Sequence, residues 1–229
     1  MTQSQNSHWA ELFDQALKII SQVNSKFPVL DSWSFGGGTA LMLQIGHRES
    51  FDVDIFIDDP QVLSYLNPQT QGFALDLYPD AYTFDGTHAL KIVFKDIGEV
   101  DFIVATHLTS EPTREREIRG QRVHLETPAE IVAKKIFYRG GLMQPRDMFD
   151  IACVRESEGH DYLVKALIPF KDSCTRALKT ARVMDARLAE AVMSKLLYQS
   201  KYSRIPSQAQ QVTIEILEAV CGYEPTTEV

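Results

Sequence analysis

The chain has 229 residues, 44% hydrophobic and 24% charged, with 31 acidic residues against 23 basic ones and a formal net charge of −8. That length buries a sizeable core and that apolar content excludes a disordered chain. No apolar run approaches the roughly 18 residues of a membrane span, Met1 to Ser7 carry no signal-peptide core, and Cys153, Cys174 and Cys221 form neither a CxxC pair nor a disulfide framework. A cytoplasmic protein is expected, and the excess acid argues against a surface that coats nucleic acid while leaving room for a local basic groove.

In chain order, residues 8–27 read as an amphipathic helix through Trp9, Leu12, Phe13, Ala16, Leu17, Ile20 and Val23, with Ser7 as its N-cap and Pro28 as its stop. A short apolar run then ends in Gly36-Gly37-Gly38, and residues 39–46 look helical up to Gly46. Residues 51–57 are a strand by their aromatic and β-branched content. Residues 60–78 hold a short helix and a loop. Two strands follow, Ala89–Phe94 and Glu99–Ala105, joined by a turn at Asp96-Ile97-Gly98. Residues 111–120 are charged and read as a loop or edge segment, and Arg122–Leu125 as one more strand.

From Thr127 the pattern is helical. Thr127-Pro128-Ala129-Glu130 combines a capping Thr, Pro at the first helical position and Glu at the third. That helix runs to Arg139, another starts near Arg146, and helical patterns broken by Pro169 and Pro206 continue to Gly222. The expected division is an α/β core over 1–126 and a helical part over 127–229.

The sharpest feature is Phe51-Asp52-Val53-Asp54-Ile55. Residues i and i+2 of a strand share a face, about 6.5 Å apart. Two carboxylates so placed among apolar residues repel one another unless neutralised, and a divalent metal ion does that. The plainer reading is that one Asp caps a turn and the other is solvated. Asp101 on the later strand is a third acid that completes a metal site if its strand lies beside 51–57; an exposed strand face explains it equally well. Gly36-Gly37-Gly38-Thr39 before a helix lets backbone amides approach a phosphate, although it is neither a P-loop nor a dinucleotide fingerprint.

Two adjacent glycines, a short helix, acid-x-acid on the next strand and a third acid later resemble the polymerase β-like nucleotidyltransferase fold. Gly37-Gly38-Thr39-Ala40-Leu41 with Gly46-His47-Arg48-x-Ser50-x-Asp52-x-Asp54-x-Phe56 is similar to the AbiEii/AbiGii nucleotidyltransferase toxin family. So is the later block, Pro128-x-Glu130-Ile131-x-Ala133-Lys134-Lys135-Ile136 followed by Arg146-Asp147-x-x-Asp150-Ile151. The resemblance covers 36–56 and 127–151; nothing after 155 matches. It implies an α+β fold with a mixed sheet, flanking helices and a helical C-terminal part.

The resemblance also implies a Mg²⁺- or Mn²⁺-dependent enzyme that moves an NMP from an NTP to an acceptor hydroxyl and releases pyrophosphate. Asp52, Asp54 and Asp101 are its expected metal ligands, with Asp101 also a general base. Gly37, Gly38, Thr39, Arg48 and Ser50 are expected to seat the nucleotide, with Lys135, Arg139, Asp147 and Asp150. Lys134 competes with Lys135 for the lysine role, and Asp147 with Asp150 for the acidic one. As i, i+4 neighbours, Arg146 and Asp150 also read as a structural ion pair. The family further implies a toxin of a toxin–antitoxin or phage-defence system, with tRNA or another RNA end as acceptor, an antitoxin protein as partner and no membrane. Arg114, Arg116, Arg119 and Arg122 offer an RNA contact or a merely solvated segment. The rival functions are a nucleotidyltransferase with a small antibiotic-like acceptor, which an acidic protein suits, and a non-catalytic nucleotide-binding protein of the same fold.

Overall fold

The structure is a computed structural model that describes residues 7–26 and 28–224. Helix α1 (Trp9–Lys26) buries Leu12, Phe13, Ala16, Ile20 and Val23 of the expected stripe and also Gln15 and Ile19, while Trp9 and Leu17 are only half-buried; residue 27, its expected last position, lies outside the described residues. Ser7 hydrogen-bonds elsewhere than as a cap: its hydroxyl donates to the carbonyl of Ser50. The His8 carbonyl accepts from the Glu11 and Leu12 amides instead.

Strand β1 (Trp33–Gly36) runs directly into helix α2 (Gly37–Ile45), which starts earlier than the expected residue 39. Strand β2 (Val53–Ile57) begins one residue after Asp52. A 3₁₀ segment, Pro60–Leu66, and helix α3 (Pro68–Gln71) follow, each opened by a side-chain cap from Asp59 or Asn67 and a proline in its first turn. Then come β3 (Ala81–Phe84), β4 (Ala89–Phe94), β5 (Gly98–Val104), β6 (Thr113–Ile118) and β7 (Gln121–Glu126). Among the described residues these make one mixed sheet in the order β3-β4-β5-β2-β1-β7-β6. The β2–β5 and β1–β7 pairings are parallel and the others antiparallel.

One face of the sheet is apolar. Phe35, Val53, Ile55, Leu90, Ile92, Val100, Phe102, Val123 and Leu125 are buried, α1 lies against β2 and β5, and Phe13 stacks on Phe35 at a centroid distance of 4.8 Å. Alternation sends Asp54, Glu99 and Asp101 to the opposite face.

From Pro128 the chain is helical: α4 (Pro128–Arg139), α5 (Pro145–Glu158), α6 (His160–Leu167), α7 (Lys171–Val183), α8 (Ala186–Met193) and α9 (Ile205–Gly222). Pro169 does interrupt, in a 3₁₀ turn between α6 and α7. Pro206 does not: it sits in the first turn of α9, where its missing N–H costs nothing. Helix α9 packs on α5, α6, α7 and α8. The chain divides into two compact units. The first comprises the residues up to Leu43 with Glu49–His107 and Thr113–Thr127; the second comprises Gln44–Arg48, Leu108–Pro112 and the chain from Pro128. The expected division at 126/127 does not anticipate that Gln44–Arg48 and Leu108–Pro112 belong with the second. Among the described residues no helix is long and apolar enough to cross a membrane.

Because Phe13 is fully buried, Phe13→Ala is expected to cost about 3–5 kcal/mol, read as a lower urea midpoint at unchanged slope.

Candidate active site

In the first unit, the parallel pairing of β2 with β5 sets Asp54 directly beside Asp101. Neighbouring strands lie about 4.8 Å apart, so the two side chains leave the same face as close neighbours. Asp52 precedes the strand, and its Oδ1 accepts from the Glu99 amide at 3.2 Å. Thr39, fully buried on α2, donates its hydroxyl to the Asp52 carbonyl. Thr39 therefore fixes the acidic strand and its hydroxyl is spent there. Ser50 is likewise engaged: its amide donates to Met42 Sδ at 3.3 Å and its carbonyl accepts from Ser7.

The glycine turn has a second reason to be glycine. Gly37 has φ +67, and a Cβ there would overlap the Asp54 carboxylate. A Cβ on Gly36 would overlap the carboxylate of Glu126 and the ring of Phe56. Each glycine thus makes room for a carboxylate. Glu126 is fully buried and accepts the Ser34 hydroxyl at 2.8 Å. Sequence reasoning missed it, since an acid at the end of a strand before a helix carries no distinguishing signal.

The electrostatics single out Asp101. Its Oδ2 takes the Lys91 ammonium at 3.1 Å, and Lys91 also binds Glu99. Burial pushes the Asp101 carboxyl above its ordinary range; Lys91 pulls it down, and the charges of Glu99 and Asp52 push it up again, leaving it raised. Asp101 Oδ1 is buried without a hydrogen-bond partner. Hard carboxylate oxygens suit Mg²⁺ or Mn²⁺, and the buried, unpartnered Oδ1 of Asp101 beside Asp54 fits such a cation in donor chemistry. Among the described residues no three His, Cys, Asp or Glu side chains already converge as a ligand set. Asp52 is turned to the Glu99 amide and Asp101 is engaged by Lys91, so the residues fit the ion in donor type and register, and full ligation requires their side chains to rearrange.

The second unit holds a separate charged cluster. Asp150, fully buried on α5, accepts Arg48 Nε at 2.8 Å and Nη2 at 3.0 Å, a bidentate pair. It also accepts Lys135 Nζ at 3.0 Å and lies 3.0 Å from His47 Nε2. Lys135 reaches Asp147 at 2.8 Å, and Arg139 binds the same carboxylate. Burial alone would raise Asp150, but Arg48, Lys135 and His47 hold it well below the usual carboxylate range. Asp147 is lowered in the same way by Lys135 and Arg139 against its burial. Burial pushes His47 below its usual value, against the Asp150 carboxylate, which pulls it up.

Several expectations change here. Arg146 is exposed and is not the partner of Asp150; Asp150 faces inward, where Arg48 and Lys135 take it. Lys134 pairs with Glu130 at 3.8 Å, so Lys135 is the lysine that joins the cluster, and both Asp147 and Asp150 belong to it. Arg48 and Lys135 spend their charge on these carboxylates; with side-chain exposures of 10% and 9% they offer little surface to a phosphate. Arg139, at 40%, keeps a partly open guanidinium. Glu130 accepts from the Leu108 and Thr109 amides at 2.9 and 2.8 Å.

Asp150→Asn leaves Arg48 and Lys135 buried with half their compensation and is expected to destabilise by about 3–5 kcal/mol. Because the folded carboxyls of Asp147 and Asp150 are depressed, their stabilisation is complete above about pH 4 and is lost as pH falls through the folded values. The Asn variant is expected to lose stability less steeply than wild type on acidification, measured by thermal unfolding from pH 7 to 3. Gly37→Ala is expected to displace Asp54 and remove activity, with destabilisation of at least about 1–2 kcal/mol from the left-handed backbone; wild-type activity in that variant would contradict the packing described.

The model of the nucleotidyl transferase AbiEii toxin, type IV toxin–antitoxin system, matches residues 18–211. No curated protein matches the chain. Among solved structures, JHP933 from Helicobacter pylori is similar at 13% identity and a TM-score of 0.45, over 94% of this chain and 93% of that one. MenT4, a nucleotidyltransferase toxin from Mycobacterium tuberculosis, is similar at 15% identity and a TM-score of 0.52, over 94% of this chain and 87% of that one, and so shares the fold. With the family pattern running through most of its length, the chain belongs to the AbiEii nucleotidyltransferase toxin family of type IV toxin–antitoxin systems.

Proposed function

We propose that the chain moves an NMP from an NTP to an acceptor hydroxyl on a tRNA or other RNA end, in the cytoplasm, with pyrophosphate as leaving group. The observation that carries this reading is the register of Asp54 with Asp101, together with the buried, unpartnered Asp101 Oδ1. In the transfer, the acceptor oxygen bonds to the α-phosphorus as the bond to the β-phosphate bridging oxygen breaks. Asp101 takes the acceptor proton; a carboxyl raised by burial is a better base than an ordinary one. Asp52 and Asp54, with Asp101, would hold Mg²⁺ or Mn²⁺, which when bound offsets phosphate charge and lowers the pKa of an acceptor hydroxyl. Thr39 anchors the Asp52 main chain and the glycine turn leaves room for the Asp54 carboxylate, and the amino end of α2 suits a phosphate.

In the second unit, Lys135, Asp147, Asp150 and Arg48 act mainly by holding one another, and Arg139 is the member with surface left to fork onto a phosphate. An antitoxin partner follows from the family. The intact acids favour catalysis over a non-catalytic nucleotide-binding role. A small cationic acceptor is the second reading, and the arginines favour it. Arg119 is bound bidentately to Asp14 at 2.7 and 2.6 Å, and Arg114 and Arg116 alternate with Glu115 and Glu117 on the edge strand, so the RNA contact expected of these residues and Arg122 is weak.

The test is incubation with each labelled NTP, Mg²⁺ and either total RNA or a metabolite extract. Label is expected in RNA, whereas label in a small molecule selects the second reading. Asp54→Asn, near-isosteric, is expected to lower transfer by roughly 100-fold or more while the circular dichroism spectrum stays unchanged. Undiminished transfer would refute the role of the acidic pair.

A further inference from the structure

We propose that Lys91 is the protein's own counter-ion at the carboxylate face, and that a divalent cation must displace it from Asp101 in order to bind. The proposal rests on the reading of Asp54 and Asp101 as metal ligands. Lys91 stands on β4 directly across from Asp101 in the antiparallel β4–β5 register. Its ammonium bridges Asp101 and Glu99, two residues apart on the same face of β5. On the other side, Asp101 adjoins Asp54 through the parallel β2–β5 register. Asp101 therefore stands between an internal cation and a second carboxylate. One of its oxygens is satisfied by the lysine and the other, buried, has no hydrogen-bond partner.

The physical chemistry makes Lys91 a placeholder. Three carboxylates, Asp54, Glu99 and Asp101, leave this face, Asp52 adds its charge from the residue before β2, and a face so charged is unstable without positive charge near it. Lys91 supplies one such charge. Its side chain is 36% exposed, and a strongly hydrated ammonium on a four-carbon stem swings into water at little cost. A divalent ion brings twice the charge and takes several carboxylate oxygens at once. Bound beside Lys91 it is repelled by the ammonium and competes with it for Asp101. Lys91 thus supports the fold of the metal-free face and raises the cation concentration needed to fill it.

The experiment is a Mn²⁺ titration of the full chain followed by electron paramagnetic resonance, with thermal unfolding in EDTA and in Mn²⁺. Lys91→Met keeps the stem and removes the charge. It is expected to bind Mn²⁺ roughly three- to tenfold more tightly, to melt lower than wild type in EDTA and to recover with saturating Mn²⁺. Lys91→Arg, which keeps the charge, is expected to bind as wild type does. Lys91→Gln serves the same titration if the methionine variant fails to fold in EDTA. Asp54→Asn separates the two claims. If it weakens Mn²⁺ binding while removal of the Lys91 charge leaves affinity unchanged or lower, the role of Lys91 is overturned and the metal reading stands. If Asp54→Asn leaves Mn²⁺ binding untouched, the metal reading fails and the role of Lys91 fails with it.

Discussion

Asp54 and Asp101 are side by side because β2 and β5 run parallel and in register. Like charges on adjacent strands repel, and partial burial of Asp101 adds a desolvation cost. The neighbouring sequence answers to that constraint. Gly36 and Gly37 lack side chains where carboxylates lie. Thr39 reaches from the start of α2 to the Asp52 carbonyl, and Lys91 brings an ammonium to the far side of Asp101. On the reverse face of the same strands, Val53, Ile55, Val100 and Phe102 are buried. That packing against α1 is where the favourable free energy that tolerates the repulsion comes from.

The two units treat buried charge in opposite ways. In the second, Asp150 meets Arg48, Lys135 and His47, and Asp147 meets Lys135 and Arg139, so both carboxyls are held low. That is the signature of a structural ion network, which a missing partner breaks at high cost. In the first unit Asp101 is raised despite Lys91 and has an oxygen with no partner. A group left under-compensated at a cost in stability marks a candidate site for something else to bind. This difference, rather than the number of acids, supports our proposal that the chemistry lies at the first unit's carboxylate face.

Much of this was legible in the sequence because period-2 alternation is unambiguous in Asp52-Val53-Asp54 and Glu99-Val100-Asp101: the apolar residues must face the core, so the acids cannot. The amphipathic stripe of α1 was equally plain. The strands that escaped notice or were only half read, β3 and β6, are the two edges of the sheet. Their residues are mostly exposed, so no buried face imposes alternation. The i, i+4 spacing of Arg146 and Asp150 predicted a local pair, and burial of Asp150 replaced it with partners more than 100 residues away along the chain, Arg48 and His47. Such long-range pairings, like Glu126 beneath Gly36 and Lys91 across from Asp101, follow from strand order and register, which a single sequence does not encode locally.

Whether Asp54 and Asp101 form a metal-binding centre is decided by a crystal structure of the chain grown with Mn²⁺ and a non-hydrolysable NTP, with anomalous data collected at the manganese edge. An anomalous peak is expected about 2.2 Å from carboxylate oxygens of both Asp54 and Asp101, with the Lys91 ammonium withdrawn from Asp101. A fully occupied nucleotide with no manganese at these two residues, or with manganese bound elsewhere and Lys91 still on Asp101, would contradict such a centre.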